Sequence, residues 1–413
     1  MNVLLVRDVR VVDALGEWRG DVAIQDGVFA ALGRGFSWPG ALVLEGEGRT
    51  LLPAFVDLHA HFRDPGFPEK EDLLTGSWAA AHGGFTAVSV MANTLPPCDS
   101  PEVARYVREK AQALGLVEVY PVGAVTQGLS GQKLADLRAL APLVWAFSDD
   151  GKGVERTDLM LEAMRLAAAL GKRVLVHPEF SGVERALGEE LMVARDLYLA
   201  RLTGARLHLQ HLSSPGSVEL VRKAKAEGVP ATAEVTPHHL CLAQEVYGDY
   251  PVNPPLPREP ARRALVEALK TGVFDAVATD HAPHTPENKA QGAPGISGIE
   301  TAFPLLYTRL VREGVITLAE LSRWLSLGPA TIMGLRKGLV RVGYDGDCVL
   351  VEEDENFLLD ETFFFSKGKN TPLLGMRLFG RIWATIHRGE VIYLEGLLRG
   401  RDYDDHRQVV RKG

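Results

Sequence analysis

His59 and His61 stand one residue apart at the end of the apolar run Phe55-Val56-Asp57-Leu58-His59-Ala60-His61. Alternate residues of an extended chain project to the same side, so both imidazoles can face one ion. An isolated pair of this kind is weak evidence, because two histidines satisfied by ordinary hydrogen bonds look the same. Other apolar runs end in the same way, however: Asp149-Asp150, His177, His208-Leu209-Gln210-His211 and Thr279-Asp280-His281 each close one. Imidazole nitrogens and carboxylates are the ligands zinc takes when thiolates are absent. Cys98, Cys241 and Cys348 are scattered with no CxxC pair, which argues against a thiolate site or a disulfide framework.

The candidate ligand set is therefore His59, His61, Asp150, His177, His211 and Asp280. That is more than one tetrahedral zinc can use, so two metals bridged by a carboxylate and a hydroxide are expected. Such a pair acidifies the water between its ions and polarises a carbonyl. Asp280, at the last tip, is the candidate general base, taking a proton from the nucleophile and passing it to a leaving nitrogen. A plain metal ligand or a helix cap is its alternative. Arg63 follows His61 by two residues on the same side of the extended segment, where a guanidinium is suited to clamp a substrate carboxylate. A surface salt bridge is the competing reading.

Asn93 and Asn253, the latter in Pro251-Val252-Asn253-Pro254-Pro255, either add hydrogen bonds to a substrate or are turn residues bonded to their own backbone. The stretch Gln291-Gly292-Ala293-Pro294-Gly295-Ile296-Ser297-Gly298 either brings backbone groups to the mouth of the site or is a plain loop. His82 reads as packing or solvent-facing, His208 as lining an interior, and His387 as remote. His238 and His239 receive no role.

These tips need a scaffold that gathers them. Eight apolar runs, at 55–61, 85–93, 117–125, 143–149, 173–177, 205–211, 231–236 and 275–280, recur about every 30 residues, as parallel strands covered on both faces would. Helices lie between them. Ser100-Pro101-Glu102 starts one and Gly115 stops it; 157–170, 217–227 and 260–271, each followed by Gly, repeat the grammar. Strand–helix units in that number predict an α/β fold, a (β/α)8 TIM-like barrel whose strand tips meet on one face. An open doubly wound sheet is the runner-up, but no GxGxxG follows any strand.

Residues 3–12, 21–25 and 41–45 read as strands, and strand texture returns at 346–351 and 381–393. The expected organisation is residues 1–52 and 339–413 forming one small β-sandwich domain from both chain ends, with the barrel at 53–338. Over 413 residues the chain is 46% hydrophobic and 24% charged, which excludes wholesale disorder. A net charge of −8 argues against a nucleic-acid or anionic-membrane binder. The start lacks the unbroken apolar stretch of a signal peptide, and the uncharged run 73–98 is broken by Gly83-Gly84 and Pro96-Pro97. The cytoplasm is the expected compartment.

Several segments together resemble a known family. Phe55-Val56-Asp57-Leu58-His59-Ala60-His61-Phe62-Arg63-Asp64-Pro65-Gly66 is similar to the first signature of the dihydroorotases, in the amidohydrolase superfamily, and Ala278-Thr279-Asp280-His281-Ala282-Pro283-His284 to the second. Phe147-Ser148-Asp149-Asp150-Gly151, Ala233-Glu234-Val235-Thr236-Pro237-His238-His239-Leu240 and Glu300-Thr301-Ala302-Phe303-Pro304-Leu305-Leu306 also resemble family segments. The resemblance implies reversible hydrolysis of dihydroorotate to N-carbamoyl-aspartate, the ring-closing step of pyrimidine synthesis read backwards. It implies two zinc ions, His59 and His61 on one, His177 and His211 on the other, with Asp150 bridging and Asp280 catalytic and metal-bound. It assigns His61, Arg63, Asn93, Asn253 and His284 to the substrate, with backbone at Pro294 and Gly295.

Many superfamily members bridge their metals with a carbamylated lysine. No Lys sits at the tip of the fourth strand before Asp149 here, which favours the branch that uses Asp over hydantoinases and allantoinases. The stretch from His177 to His211 is shorter than in relatives, and Pro294 stands where they carry a bulky aromatic. A silent subunit of aspartate transcarbamoylase would have lost ligand histidines, and none is missing. A homodimer and an association with aspartate transcarbamoylase are left open. Another cyclic-ureide hydrolase and a metal-dependent phosphoesterase are the weaker alternatives, the latter wanting more cations than Arg63.

Overall fold

A computed structural model describes residues 3–412. Five strands come first: β1 (Val3–Asp13), β2 (Gly16–Gln25), β3 (Val28–Gly33), β4 (Leu42–Glu45) and β5 (Thr50–Pro53). Eight short strands follow, alternating with helices: β6 (Phe55–Ala60), β7 (Phe85–Val90), β8 (Glu118–Pro121), β9 (Ala146–Phe147), β10 (Arg173–Val176), β11 (Arg206–Leu209), β12 (Ala231–Val235) and β13 (Ala276–Val277). β6 to β8 pair in parallel, as do β9 to β13. The two arcs join through short bridges. Gly123 donates to Ala146 O and accepts from Ser148 N, and His61 N donates to His281 O at 2.8 Å. The circle is closed, and the expected barrel is present.

Each barrel strand is shorter than its apolar run. The last residues of each run leave the ladder and turn across the barrel mouth, which is where the polar tips lie. The helices obey their caps: Pro101 opens Pro101–Leu114 and Gly115 closes it at φ 60°, a conformation that costs glycine little. The helix expected at 217 begins earlier, as Pro215–Ala226, because the Ser214 hydroxyl caps it and Pro215 suits the first turn. One long helix, Arg185–Thr203, has no counterpart among those expected from sequence. Its buried face holds Met192, Val193, Leu197 and Ala200, yet its outer face is apolar as well, so the helical period is blurred.

The chain returns to β structure with β14 (Cys348–Leu358), β15 (Arg377–His387), β16 (Glu390–Leu394), β17 (Leu397–Leu398) and β18 (Arg411–Lys412). The single strand expected at 381–393 is a hairpin, its turn made by Arg388 and Gly389, both at positive φ. β5 pairs with β14, so strands from the two ends of the chain share one sheet, ordered β17-β16-β15-β14-β5-β1-β2-β3. β1 shifts register between Val6 and Val9, pairing with β4 before the shift and β5 after it. The sheet turns there and encloses a core of Leu4, Val11, Ile24, Phe29, Leu51, Leu350 and Ile386. Among the described residues, no helix is long and apolar enough to cross a membrane.

One buried charge cluster fastens this sheet to the floor of the barrel. Asp347 accepts from Thr86 Oγ1 of β7 at 2.8 Å, from Arg388 N at 2.7 Å and from the Lys337 ammonium, with His387 Nδ1 at 3.2 Å. Lys337 also faces Glu118 at 3.3 Å and Asp345 at 3.4 Å. Burial would raise the Asp347 carboxyl, but His387 and Lys337 outweigh it and hold the group well below the usual carboxylate range. A depressed folded-state pKa stabilises above the unfolded value of about 4 and is lost as pH falls below it. Asp347→Ala should cost about 3–5 kcal/mol in denaturant unfolding at neutral pH, because Lys337 is left buried without its closest partner. The gap between variant and wild type should narrow as pH is lowered toward about 3.

Candidate metal and substrate site

The tips of β6 and β13 are locked together before they carry any chemistry. Asp57, buried in β6, accepts from His59 N at 3.2 Å, from Thr279 N at 3.0 Å and from Thr279 Oγ1 at 2.6 Å. Thr279 Oγ1 in turn accepts from His281 N at 3.0 Å. Burial pushes the Asp57 carboxyl up to about 6 despite these donors. The lock fixes the two segments that carry His59, His61 and Asp280. Arg63, His211 and Asp280 all hold positive φ, at 57°, 34° and 47°. Left-handed backbone at non-glycine residues stores about 1–3 kcal/mol each and gathers at functional sites.

All six expected ligands meet at the rim. Asp150 is the hub: its oxygens lie 3.2 Å from His59 Nε2, 3.4 Å from His61 Nε2, 3.4 Å from His177 Nδ1 and 3.7 Å from His211 Nε2. Two donor groups share it, His59 with His61 and His177 with His211. Asp280 Oδ1 lies 3.0 Å from His61 Nε2 and 3.5 Å from His59 Nε2. Most of these spacings are long for a hydrogen bond. Ligands about 2.1 Å from a shared tetrahedral ion stand about 3.4 Å apart, so the spacing suits a cation.

The outer nitrogens point to the same conclusion. His59 Nδ1 donates to Glu234 Oε1 at 2.9 Å, His61 Nδ1 to Asn93 Oδ1 at 2.9 Å, and His177 Nε2 to Glu179 Oε2 at 3.1 Å. Each bond gives the far nitrogen a partner for its proton, so that with an ion bound the near one is free to ligate it beside Asp150, as outer partners of metal ligands allow. His59 Nε2 and Asp150 Oδ1 are buried without a hydrogen bond, and so is His211 Nδ1. His177 Nδ1 and His211 Nε2 approach to 2.9 Å, a close meeting of two nitrogens that a cation between the rings and Asp150 relieves. The donor set fits a metal centre.

Electrostatics around it follow from burial and pairing. Burial would raise Asp150, but His59, His177 and His211 hold it well below the ordinary value. The same contest sets Glu234, which burial raises and His208 and His59 bring down to about 2. Its second oxygen accepts from His208 Nε2 at 2.9 Å, and His208 also meets Thr232 Oγ1, so His208 does line the barrel interior. His82 is buried against Glu300, and His387 sits at the far junction with Asp347. His239 bridges Thr236 Oγ1 and Pro254 O.

A cavity of about 200 Å³ opens over the cluster, lined by His61, Arg63, Asn93, Asn253, His284, Pro294 and Gly295 together with Asp150, His177, His211 and Asp280. Every residue expected to touch substrate therefore borders one space. Arg63 contacts Pro283 O and His284 Nε2, both at 3.4 Å, and among the described residues no carboxylate pairs with it. Burial lowers it only to about 10, so it stays cationic. His284 is driven down to about 3 by burial and by Arg63, so it is neutral. Asn253 donates to Glu179 at 3.1 Å and accepts from Arg185 at 2.9 Å.

Glu179, Gln210, Glu234 and Asn370 serve the site although sequence reasoning does not single them out. A carboxylate inside the apolar strand Ala231–Val235 is the signal available for Glu234. Asn370 has none. It lies in the segment between β14 and β15, and its side chain ties the two lips of the cavity. Oδ1 accepts from His284 N at 2.8 Å and Ser297 Oγ at 2.9 Å, while Nδ2 donates to Ala282 O at 3.1 Å and Gly295 O at 2.9 Å.

Comparison with known proteins agrees with this geometry. Residues 50–392 match the model of the amidohydrolase family. The chain is 43% identical over 395 residues to the dihydroorotase of Clostridium botulinum, covering 94% of this chain and 99% of that protein. It is 41% identical over 420 residues to the dihydroorotase of Caldanaerobacter subterraneus, covering 94% and 97%. Among solved structures, the L-hydantoinase of Arthrobacter aurescens superposes with a TM-score of 0.85 at 24% identity, covering 97% of this chain and 98% of that one. At that identity the likeness speaks to the fold, a barrel with an accompanying β domain. With matches this long on a rim of this composition, the chain belongs to the amidohydrolase family, in the company of the dihydroorotases.

Proposed function

We propose that the protein is a dihydroorotase, interconverting dihydroorotate and N-carbamoyl-aspartate in pyrimidine synthesis, with residues 53–338 carrying the chemistry. The observation that carries the reading beyond family membership is Arg63, a cation without a carboxylate partner on the wall of a small cavity beside the ligand cluster. Dihydroorotate brings the missing carboxylate. A hydantoin does not.

Two zinc ions are proposed, one held by His59 and His61, the other by His177 and His211, with Asp150 between them and Asp280 beside the first pair. When bound, they supply Lewis acidity toward the ring amide carbonyl and acidify water. The side chains do the rest. Arg63 and Asn93 receive the substrate carboxylate, with Asn253, neutral His284 and the backbone of Pro294 and Gly295 orienting the ring. Asp280 accepts the proton of the attacking water as the carbon–oxygen bond forms, then delivers it to the ring nitrogen as the carbon–nitrogen bond breaks. Ring closure reverses those transfers. A cytoplasmic location stands as part of the proposal.

Purified protein should turn over dihydroorotate, lose that activity on chelation and regain it with zinc, with elemental analysis finding two zinc ions per chain. Asp280→Asn should lower kcat by about 10²–10⁴-fold while retaining most of the metal. Wild-type turnover in that variant would remove Asp280 as the base. Arg63→Met should lower kcat/KM for dihydroorotate by about 100-fold or more, while leaving turnover of the uncharged dihydrouracil as it was. Equal loss on both substrates would place Arg63 outside carboxylate recognition. Asn370→Ala should raise KM about 10-fold with kcat and zinc content retained, since it loosens the lips and touches no ligand.

A further inference from the structure

The segment Gly292-Ala293-Pro294-Gly295 brings one wall to the cavity without a long side chain to anchor it. Gly295, at φ 147°, packs so closely on Ala282 that a Cβ there would fall 2.7 Å from Ala282 O. The approach needs glycine, and glycine loses the most backbone freedom when it is ordered. The facing wall, Pro251-Val252-Asn253, is loop as well. One backbone bond, from Gly295 N to Pro251 O at 3.0 Å, joins the two walls directly.

Lys289 supplies the rest of the order. It lies in the last turn of the short helix Pro286–Ala290. Its Nζ donates to Pro251 O at 2.8 Å on one wall, and to Ala293 O at 2.8 Å and Gly295 O at 3.0 Å on the other. All three ammonium protons are thereby used. The Tyr250 ring covers the cation, its centre 4.5 Å from Nζ. Among the described residues no carboxylate pairs with Lys289, so carbonyl dipoles and a ring face balance its charge. Asn370 also binds Gly295 O, but ties it to Ala282 instead of the Asn253 loop.

We propose that Lys289 is a positioning residue for the cavity: its ammonium binds the loop of Asn253 to the loop of Pro294 and Gly295, so that both walls stand ordered before substrate arrives. The ordering is a property of the chain, and its effect on KM rests on the activity proposed above. The tie is also titratable. Burial lowers the Lys289 amine to about 8. Below that pH the ammonium donates three hydrogen bonds; above it a neutral amine has two hydrogens and no charge to hold the carbonyls. The groups facing it keep their charge there. Burial pushes Tyr250 up to about 12, and His284, bonded to Pro294 O, is neutral above about 3. Glu287, on the same helix, turns to Thr285. The walls therefore loosen as pH rises through about 8.

Hydrogen exchange of the full chain without substrate tests the tie directly. At pH 7, Lys289→Met should lower the protection of amides in 250–253 and 291–297 about 10-fold, with the barrel strands unchanged. Wild-type protection factors of those two segments, which correct for the intrinsic pH dependence of exchange, should fall between pH 7 and 9. That measurement needs no variant to fold. In Lys289→Met the fall should be absent. With dihydroorotate at pH 7, the variant should show KM raised about 10-fold, with kcat and zinc content kept. Wild-type protection in the variant would overturn the inference, as would an unchanged KM. A fall between pH 7 and 9 that is missing from the wild type, or that persists in the variant, would do the same. A wild type that left dihydroorotate untouched would count against the activity, and exchange would still decide the role of Lys289.

Discussion

A single buried carboxylate makes the rim possible. Closing a parallel barrel requires its first and last strands to meet, yet β13 contributes only Ala276–Val277 to the ladder. Backbone pairing over two residues leaves little to hold the segments beyond it. Asp57 supplies the missing link by binding Thr279 through backbone and hydroxyl while steadying His59 N. Only with that seam fixed can Asp280 keep its left-handed backbone and stand 3.0 Å from His61. An uncompensated acid in this position would be costly; three donors offset its desolvation.

The rim itself is a balance that the chain alone does not complete. Asp150 is ringed by four imidazoles whose outer nitrogens are largely committed elsewhere, to Glu234, Asn93 and Glu179. The inner nitrogens and the Asp150 oxygens then face one another across 3.2–3.4 Å, the spacing of ligands about a shared ion. The groups around the cluster are themselves tied down: Gln210 accepts from Ser148 Oγ, and Glu234 is held between His59 and His208. The cluster is thus bordered by hydrogen-bonded protein groups on its other sides and opens toward the cavity.

Much of this is legible in the amino-acid order, for a reason of solvation. A polar side chain at the end of a buried apolar strand is hard to account for by packing, so His59, Asp150, His177, His211 and Asp280 stand out without any knowledge of neighbours. Residues that act through partners far along the chain are invisible. Glu179 and Asn370 are ordinary polar residues until His177 or the cavity lips are brought beside them. Strand ends are overestimated because apolar residues continue past the last ladder bond into the mouth. The helix Arg185–Thr203 escapes notice since both of its faces are apolar, which erases the alternation that reveals a helix. The hairpin β15–β16 resembles one strand because Arg388-Gly389 interrupts it so briefly.

Asn370 belongs by sequence to the C-terminal β segment but by position to the cavity wall, where it bonds to four groups on two loops of the barrel. The wall of the cavity is therefore built jointly by the barrel and by the segment between β14 and β15. A chimaera that exchanged barrels between homologues would inherit a mismatched pocket entrance unless residues around 370 travelled with the barrel. Changes in that distant loop can reshape the cavity mouth while the segments around His59 and Asp280 stay untouched.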